Sequence, residues 1–154
     1  MKKTVIFFLL ALLSTSSCIV DRYKNVHIKY INLTNHTIKM MGYRSGMEDY
    51  IEILPKDTTI VAEMKGMGTS EFPKLSYWGL LQGWDSVKVI YDNQKSIIHY
   101  RADFQNQNGI PFSNNRNLLN QISYQKIIVS QSKHSVTGYY AYSFTEEDYL
   151  EANP

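Results

Sequence analysis

Apolar and polar residues alternate with a period of two over most of the chain from Val26 onward, a pattern typical of half-buried β-strands. Turn-forming residues separate the segments that show this alternation or that form β-branched runs. No segment before the C-terminal tail has the i, i+3, i+4, i+7 apolar spacing of an amphipathic helix. The pattern therefore predicts an all-β fold, with strands at residues 26–30, 37–43, 50–54, 58–64, 86–91, 96–100, 124–129 and 138–144.

The spacing of these strands, about ten residues from one to the next, is typical of a sandwich or a small barrel. Seven to eight antiparallel strands of this kind predict a single Ig-like β-sandwich over residues 26–144. A small lipocalin-like β-barrel is the alternative. We expect hairpins to join 26–30 with 37–43, 86–91 with 96–100, and 124–129 with 138–144.

The C-terminal segment, residues 145–154, has a helical rather than an alternating pattern. Thr145 suits an N-cap position, and three acidic residues follow in the first turn, where the helix dipole stabilises negative charge. This pattern predicts a short acidic C-terminal helix that docks through Tyr149 or Leu150. A frayed acidic tail is the alternative.

The N-terminal segment differs from the rest of the chain. Lys2 and Lys3 precede a mostly apolar run at residues 4–13, and small polar residues lead from it to Cys18. A membrane-spanning helix needs about 20 apolar residues, and this run is half as long. The layout predicts a signal peptide over residues 1–17. It resembles a bacterial lipoprotein signal, which implies cleavage before Cys18 and acylation of this residue, although an ordinary secreted protein with a free thiol is the alternative.

Lipidation at Cys18 would hold the protein on a membrane without a spanning segment, because two or more acyl chains give stable anchoring. Residues 18–25 would then form a short lipidated tether between the membrane and the sandwich. Ile19 follows Cys18 where an Asp would favour retention in the inner membrane. We therefore expect the outer membrane, and the sequence leaves its periplasmic and cell-surface faces as alternatives.

Charge and cysteine content exclude several classes of protein. The chain has 16 Lys and Arg against 14 Asp and Glu, and Lys2 and Lys3 account for the excess, so that 14 of each remain from Cys18 onward. A neutral domain lacks the basic surface of a nucleic-acid-binding protein. A single cysteine excludes an internal disulfide and a CxxC zinc site. We expect no nucleic-acid partner, no metal and no cofactor.

Two long segments between strands are candidate ligand-binding loops. The first, residues 65–84, contains both tryptophans, and its aromatic rings could stack on sugars or apolar ligands; alternatively, residues 77–81 form a buried strand. The second, residues 103–117, carries amides that could bind glycan hydroxyl groups, or it is simply a loop. The candidate ligand-binding residues are Phe72, Tyr77, Trp78, Trp84, Asn106 and Asn108.

A calcium loop and catalytic motifs are not supported by the sequence. The spacing of Asn106, Asn108 and Gly109 resembles part of an EF-hand loop, but Phe104 and Asn115 stand where that loop needs acidic ligands. The four histidines are scattered, and no nucleophile elbow or phosphate-binding glycine loop is present. His27 and His99 alternate with apolar neighbours, which predicts that both face solvent. We therefore expect no catalytic residues and a protein that is not an enzyme.

The whole layout resembles small lipoproteins of Bacteroides-type gut and oral bacteria. The resemblance is carried by the signal, the lipobox-like cysteine, the β-rich body and the ending YAYSFTEEDY at residues 140–149. It implies export and anchoring, and it brings no activity with it. Such bacteria O-glycosylate exported proteins at Asp followed by Ser or Thr and a methyl-bearing residue, which implies Thr58 and Ser86 as acceptors. Two turns at strand entries explain these short matches equally well.

Three functions agree with these observations. The first is a lipid-anchored, non-catalytic binding module of the cell envelope that recognises a glycan or a protein partner. The second is a structural or assembly accessory of an envelope complex. The third is a small hydrolase whose residues converge only in the folded chain.

Overall fold

The computed structural model describes residues 22–68, 72, 83–104, 109–111 and 113–154, and each of the eight predicted strands is found among them. Among the described residues, two 3-10 helices lie between strands, Ala102–Phe104 and Gln121–Ser123. The α-helix α1, Glu146–Glu151, follows the last strand. The strands are β1 Arg22–Asn32, β2 Ile38–Arg44, β3 Met47–Leu54, β4 Thr59–Gly68, β5 Ser86–Tyr91, β6 Lys95–Tyr100, β7 Gln125–Gln131 and β8 Ser135–Phe144.

The described strands form two sheets of four strands each, and the two sheets enclose one core. Sheet I has the order β4-β1-β8-β7, and sheet II has the order β3-β2-β5-β6. Among the described strands neither sheet closes on itself, so the predicted all-β sandwich is confirmed and the barrel alternative is wrong. Five of the six pairings are antiparallel as expected, and β1 and β8 pair in parallel.

Alternate residues of both sheets point into the core, as the period of two predicts. Burial removes their apolar surface from water, at about 25 cal/mol per Å², and this supplies the main driving force for folding without a disulfide. The inward side chains of the central strands are at most 3 % exposed: Val26, Ile28, Tyr30, Ile38, Met40, Val87, Val89, Tyr91, Val136, Tyr140, Tyr142 and Phe144.

Two of the three expected hairpins are confirmed, and the first is wrong. β5 pairs with β6, and β7 pairs with β8. β1 and β2 lie in different sheets, because the segment after Asn32 crosses from sheet I to sheet II. Asn32 is fully buried at this crossing and bonds to its loops, which a simple hairpin turn would not require.

The first strand begins earlier than the sequence predicts. β1 starts at Arg22 rather than at Val26, so half of the expected tether at residues 18–25 belongs to the sandwich. Its first residues already have partners on both sides, since Arg22 pairs with Gly68 of β4, and Tyr23 with Ser135 of β8.

The C-terminal helix is confirmed, with Thr145 at its N-cap. The Asp148 carboxylate accepts a hydrogen bond of 2.7 Å from the Thr145 backbone N–H and closes a capping box. Tyr149 packs against the core, whereas Leu150 is 71 % exposed. Of the two predicted docking residues, Tyr149 is therefore the one that anchors α1.

The sandwich has two distinct ends. The entry end is where β1 begins, beside the last residue of β4, and the turn from Arg44 to Met47 between β2 and β3 lies at the same end. The helix end is where β1 finishes and α1 follows β8. The β2–β3 turn is assigned to the entry end from the strand directions, since β2 starts at the helix end after the crossing from β1 and runs toward the opposite end.

Candidate functional site

The predicted aromatic candidates within the described residues lie in the core and do not form an exposed binding surface. Phe72 is 8 % exposed and meets Tyr140 edge-on, with ring centroids 5.3 Å apart. Trp84 is 4 % exposed and donates from its indole N–H to Asp49 at 2.9 Å. A Cβ on Gly42 would lie 2.7 Å from the Trp84 ring, so glycine is what lets the indole pack on β2. Both rings are buried in this structure, and ligand binding by Phe72 and Trp84 stays a prediction.

Several other predicted site residues lie outside the described part of the chain. They are the lipidation candidate Cys18 and the ligand-binding candidates Tyr77, Trp78, Asn106 and Asn108. Their roles stay predictions.

The two glycosylation candidates are both at strand entries. Thr58 directly precedes β4 and donates from its hydroxyl to the Pro55 carbonyl. Ser86 is the first residue of β5 and is half-buried between two strands. O-glycosylation of Thr58 and of Ser86 stays a prediction.

A group of titratable side chains lies at the helix end. His36 Nδ1 is 2.6 Å from Asp92, its Nε2 is 3.5 Å from Glu146, and its ring stacks on Tyr149 with centroids 3.6 Å apart. The hydrogen bonds from His36 and from the Thr37 backbone keep the pKa of Asp92 below its usual range. This His36 cluster (His36, Asp92, Glu146 and Tyr149) ties α1 to the two neighbouring loops, so its groups are engaged in structural contacts.

A second charged pair lies beneath α1. Arg116 Nε donates to Asp148 at 2.9 Å, and its Nη2 donates both to Asp148 and to the Ser143 carbonyl, the latter at 2.8 Å. The Asp148 side chain is 7 % exposed, and Tyr142 donates to the Arg116 carbonyl at 2.8 Å. Arg116 therefore neutralises a buried carboxylate and joins its loop to β8 and α1.

His99 is buried, so the prediction that it faces solvent is wrong. It is 3 % exposed, and its Nδ1 accepts a hydrogen bond of 3.2 Å from the Leu118 N–H. On β6 the inward positions are Ile97 and His99, while Ile98 between them points outward. Desolvation, and then the charge of Arg116, lowers the pKa of His99 to about 3.

We expect this buried imidazole to make the protein less stable in mild acid. The folded protein keeps His99 neutral down to about pH 3, whereas the unfolded chain protonates it below about pH 6.5, so stability falls with pH between these values. The loss from this residue is about 2 kcal/mol between pH 7 and pH 5. Urea denaturation at both pH values should show a smaller loss in His99→Asn, while His134→Asn, at an exposed position, should behave as wild type.

Among the described surfaces, the outer face of sheet II is our strongest candidate for a binding site, because it exposes aliphatic side chains. Register places Ile51 beside Met41, and Ile53 lies on the same face at the sheet edge. Ile51 is 46 % exposed and Ile53 is 54 % exposed, although both are large aliphatic residues. We call this the sheet II patch, and it consists of Met41, Ile51, Ile53, Ile90 and Ile98.

Two lysines accompany the patch. Lys39 lies between Ile53 and Ile90, and Lys88 lies between Met41 and Ile98 across the strands. β3 itself is an edge strand, and β2 is its single neighbour among the described strands. The sequence already contained a signal for this surface, since β3 has isoleucines on one face and Leu54 on the other.

Within the described residues, no group of three or more His, Cys, Asp or Glu side chains is arranged to hold a metal ion. Among the helices of that same part of the chain, none is both long and apolar enough to cross a bilayer. Comparison of the chain with protein-family models, with curated protein sequences and with solved structures finds no match.

Proposed function

We propose that this chain is a lipid-anchored, non-catalytic module of the cell envelope that binds a protein partner through the sheet II patch. The observation that carries the proposal is the exposure of Ile51 and Ile53 on β3, an edge strand among the described strands. Met41 lies beside Ile51, and Ile90 and Ile98 lie on the same outer face beyond Lys39 and Lys88. Exposed aliphatic side chains grouped on one sheet face are typical of interaction sites, because their removal from water stabilises a complex.

A protein fits this surface better than a glycan does. The patch is aliphatic, and the two described aromatic candidates, Phe72 and Trp84, are in the core. Among the described strands β3 is an edge strand of sheet II, and edge strands are places where a partner strand can add while its alternate side chains make apolar contacts. Lys39 and Lys88 on the same face favour a partner with acidic residues around an apolar centre.

The proposed anchor rests on the N-terminal sequence. Its support is the cationic start, the short apolar run and the position of Cys18, the single cysteine, directly after small polar residues. We place the anchor in the outer membrane, because Ile19 rather than an Asp follows the cysteine. The non-catalytic character is supported by the engagement of His36, His99 and Asp148 in structural contacts.

The partner is tested by photo-crosslinking in intact cells. A photoreactive amino acid at position 51 or 53 should capture one constant envelope protein, whereas the same group at Val61, 49 % exposed on sheet I, should not. Ile53→Asp should weaken co-purification of that partner at least about tenfold, as expected for a contact of 1.4 kcal/mol or more, and Val61→Asp should have little effect.

Two results would contradict the binding proposal. One is equal capture from positions 53 and 61, and the other is a partner whose recovery Ile53→Asp leaves unchanged. Both variants must keep the urea midpoint of the wild-type protein, which is expected because both positions are on the surface.

A further inference from the structure

The entry end of the sandwich lies next to the proposed lipid attachment site. β1 starts at Arg22, so residues 19–21 alone separate it from Cys18. Four steps between α-carbons at about 3.5 Å each span at most about 14 Å. The headgroup layer on each side of a bilayer is about 5–7 Å thick. A lipid-anchored Cys18 would therefore hold the start of β1 no more than about 14 Å away, which is within about 10 Å of the outer surface of the headgroup layer.

Exposed apolar side chains occupy this end. Tyr23 and Met67 are cross-strand neighbours of β1 and β4, and they are 49 % and 67 % exposed. Met47, at the start of β3 beside the turn, is 72 % exposed. Tyrosine favours the membrane–water interface because it combines an apolar ring with a polar hydroxyl group. Methionine is flexible enough to adapt to lipid.

We propose that Tyr23, Met47 and Met67 form a membrane contact surface that inserts into the headgroup region of the bilayer holding the Cys18 acyl chains. This inference rests on the proposed lipid anchor, and it adds the residues that contact lipid and the orientation of the domain. The strands then stand along the membrane normal, and α1 at the helix end points away from the bilayer. The sheet II patch lies on the side of the domain, where an envelope protein can reach it.

The test uses the fact that Cys18 is the only cysteine of the chain. An acylated Cys18 has no thiol, so a cysteine introduced into the mature lipoprotein is the only group that a thiol-reactive fluorophore labels. The probe is an environment-sensitive dye attached to Met67→Cys, Met47→Cys or Tyr23→Cys, in phosphatidylethanolamine and phosphatidylglycerol vesicles that contain a headgroup-level nitroxide lipid. Matched controls at the helix end are Leu33→Cys and Leu150→Cys, which replace side chains that are 59 % and 71 % exposed.

The inference predicts a blue-shifted emission and several-fold stronger quenching by the nitroxide lipid at positions 23, 47 and 67 than at positions 33 and 150. Equal quenching at both ends, or stronger quenching at the helix end, would overturn it. A third result would also overturn it: the dye at position 67 is shielded from water in native membranes but is not quenched in vesicles that contain no other protein. That result would indicate a protein contact at the entry end.

Failure of the anchor itself gives a different result. If Cys18 is not acylated, the dye labels the wild-type protein and the protein does not float with vesicles. That outcome rejects the lipid anchor and the membrane contact surface together, whereas an unlabelled, floating wild type with unquenched Met67→Cys rejects the contact surface alone.

Discussion

Replacing Arg116 with Ala is expected to destabilise the protein by about 3 kcal/mol, because it leaves a buried carboxylate without its cation. Asp148 is 7 % exposed, and two Arg116 nitrogens contact its oxygens. The same arginine donates to the Ser143 carbonyl, so the substitution also removes a hydrogen bond to the end of β8. The expected effect is a lower urea midpoint with an unchanged slope, and earlier loss of the α1 contacts.

Arg44→Ala is the matched control for this substitution. Arg44 forms an ion pair of 3.0 Å with Asp49, but the side chains are 54 % and 42 % exposed. An exposed pair contributes less than about 1 kcal/mol, because water screens the charges. Similar losses in Arg116→Ala and Arg44→Ala would show that burial of the Asp148 carboxylate does not determine the stability of this region.

Replacing Asn32 with Ala, at the crossing between the sheets, is also expected to lower the free energy of unfolding by about 3 kcal/mol. Its amide nitrogen donates to the carbonyls of His36, Leu54 and Pro55 at 2.7, 3.2 and 3.1 Å. Its amide oxygen accepts from the N–H and hydroxyl of Thr34, at 3.0 and 2.7 Å. Alanine would remove these five hydrogen bonds from a position that water does not reach, since Asn32 is fully buried.

Asn35→Ala serves as the control, because the Asn35 amide makes an exposed hydrogen bond of 3.3 Å to Glu146. We expect a loss of less than about 1 kcal/mol for it. Thermal or urea unfolding of the two variants measures whether loss of the buried amide destabilises the protein more than loss of the exposed one. If Asn32→Ala unfolds at the same urea concentration as Asn35→Ala, the buried amide is not what holds the β1–β2 and β3–β4 connections together.

Local pattern predicted the elements of this fold well. The eight strands, the β5–β6 and β7–β8 hairpins and the capped helix α1 all follow from alternation, turn residues and the acidic first turn. These features depend on residues that are close in sequence. The spacing of short strands predicted a sandwich and left a small barrel as the alternative, because few architectures bury one face of so many strands.

Partner choice between strands was not predictable in the same way. The parallel pairing of β1 with β8 joins residues more than a hundred positions apart, and nothing in either segment encodes it. The sequence also suggested a β1–β2 hairpin, because turn-forming residues look alike whether a chain folds back within a sheet or crosses to another. The burial of Asn32 distinguishes the two cases, and only the folded chain shows it.

The candidate site was the least predictable part. Both faces of β6 carry an isoleucine: Ile97 lies on the same face as His99, and Ile98 lies on the opposite face. The sequence therefore does not indicate which face points inward. Phe72 and Trp84 were attractive as exposed rings because they occur in a long segment between strands, yet both pack into the core. Ile51 and Ile53 are ordinary strand residues by composition, and they become a candidate surface because both are exposed on β3, which is an edge strand among the described strands.

The lipid anchor is the central claim of the functional account, and intact-mass spectrometry tests it most directly. The protein would be expressed as residues 1–154 in a bacterium with a lipoprotein pathway and extracted from its membranes with detergent. We predict a chain that begins at Cys18 and carries the added mass of a diacylglycerol and one further acyl group, and Cys18→Ser should remain uncleaved and unmodified. A mature chain with a free Cys18 thiol, or one that begins at another residue, would contradict the account.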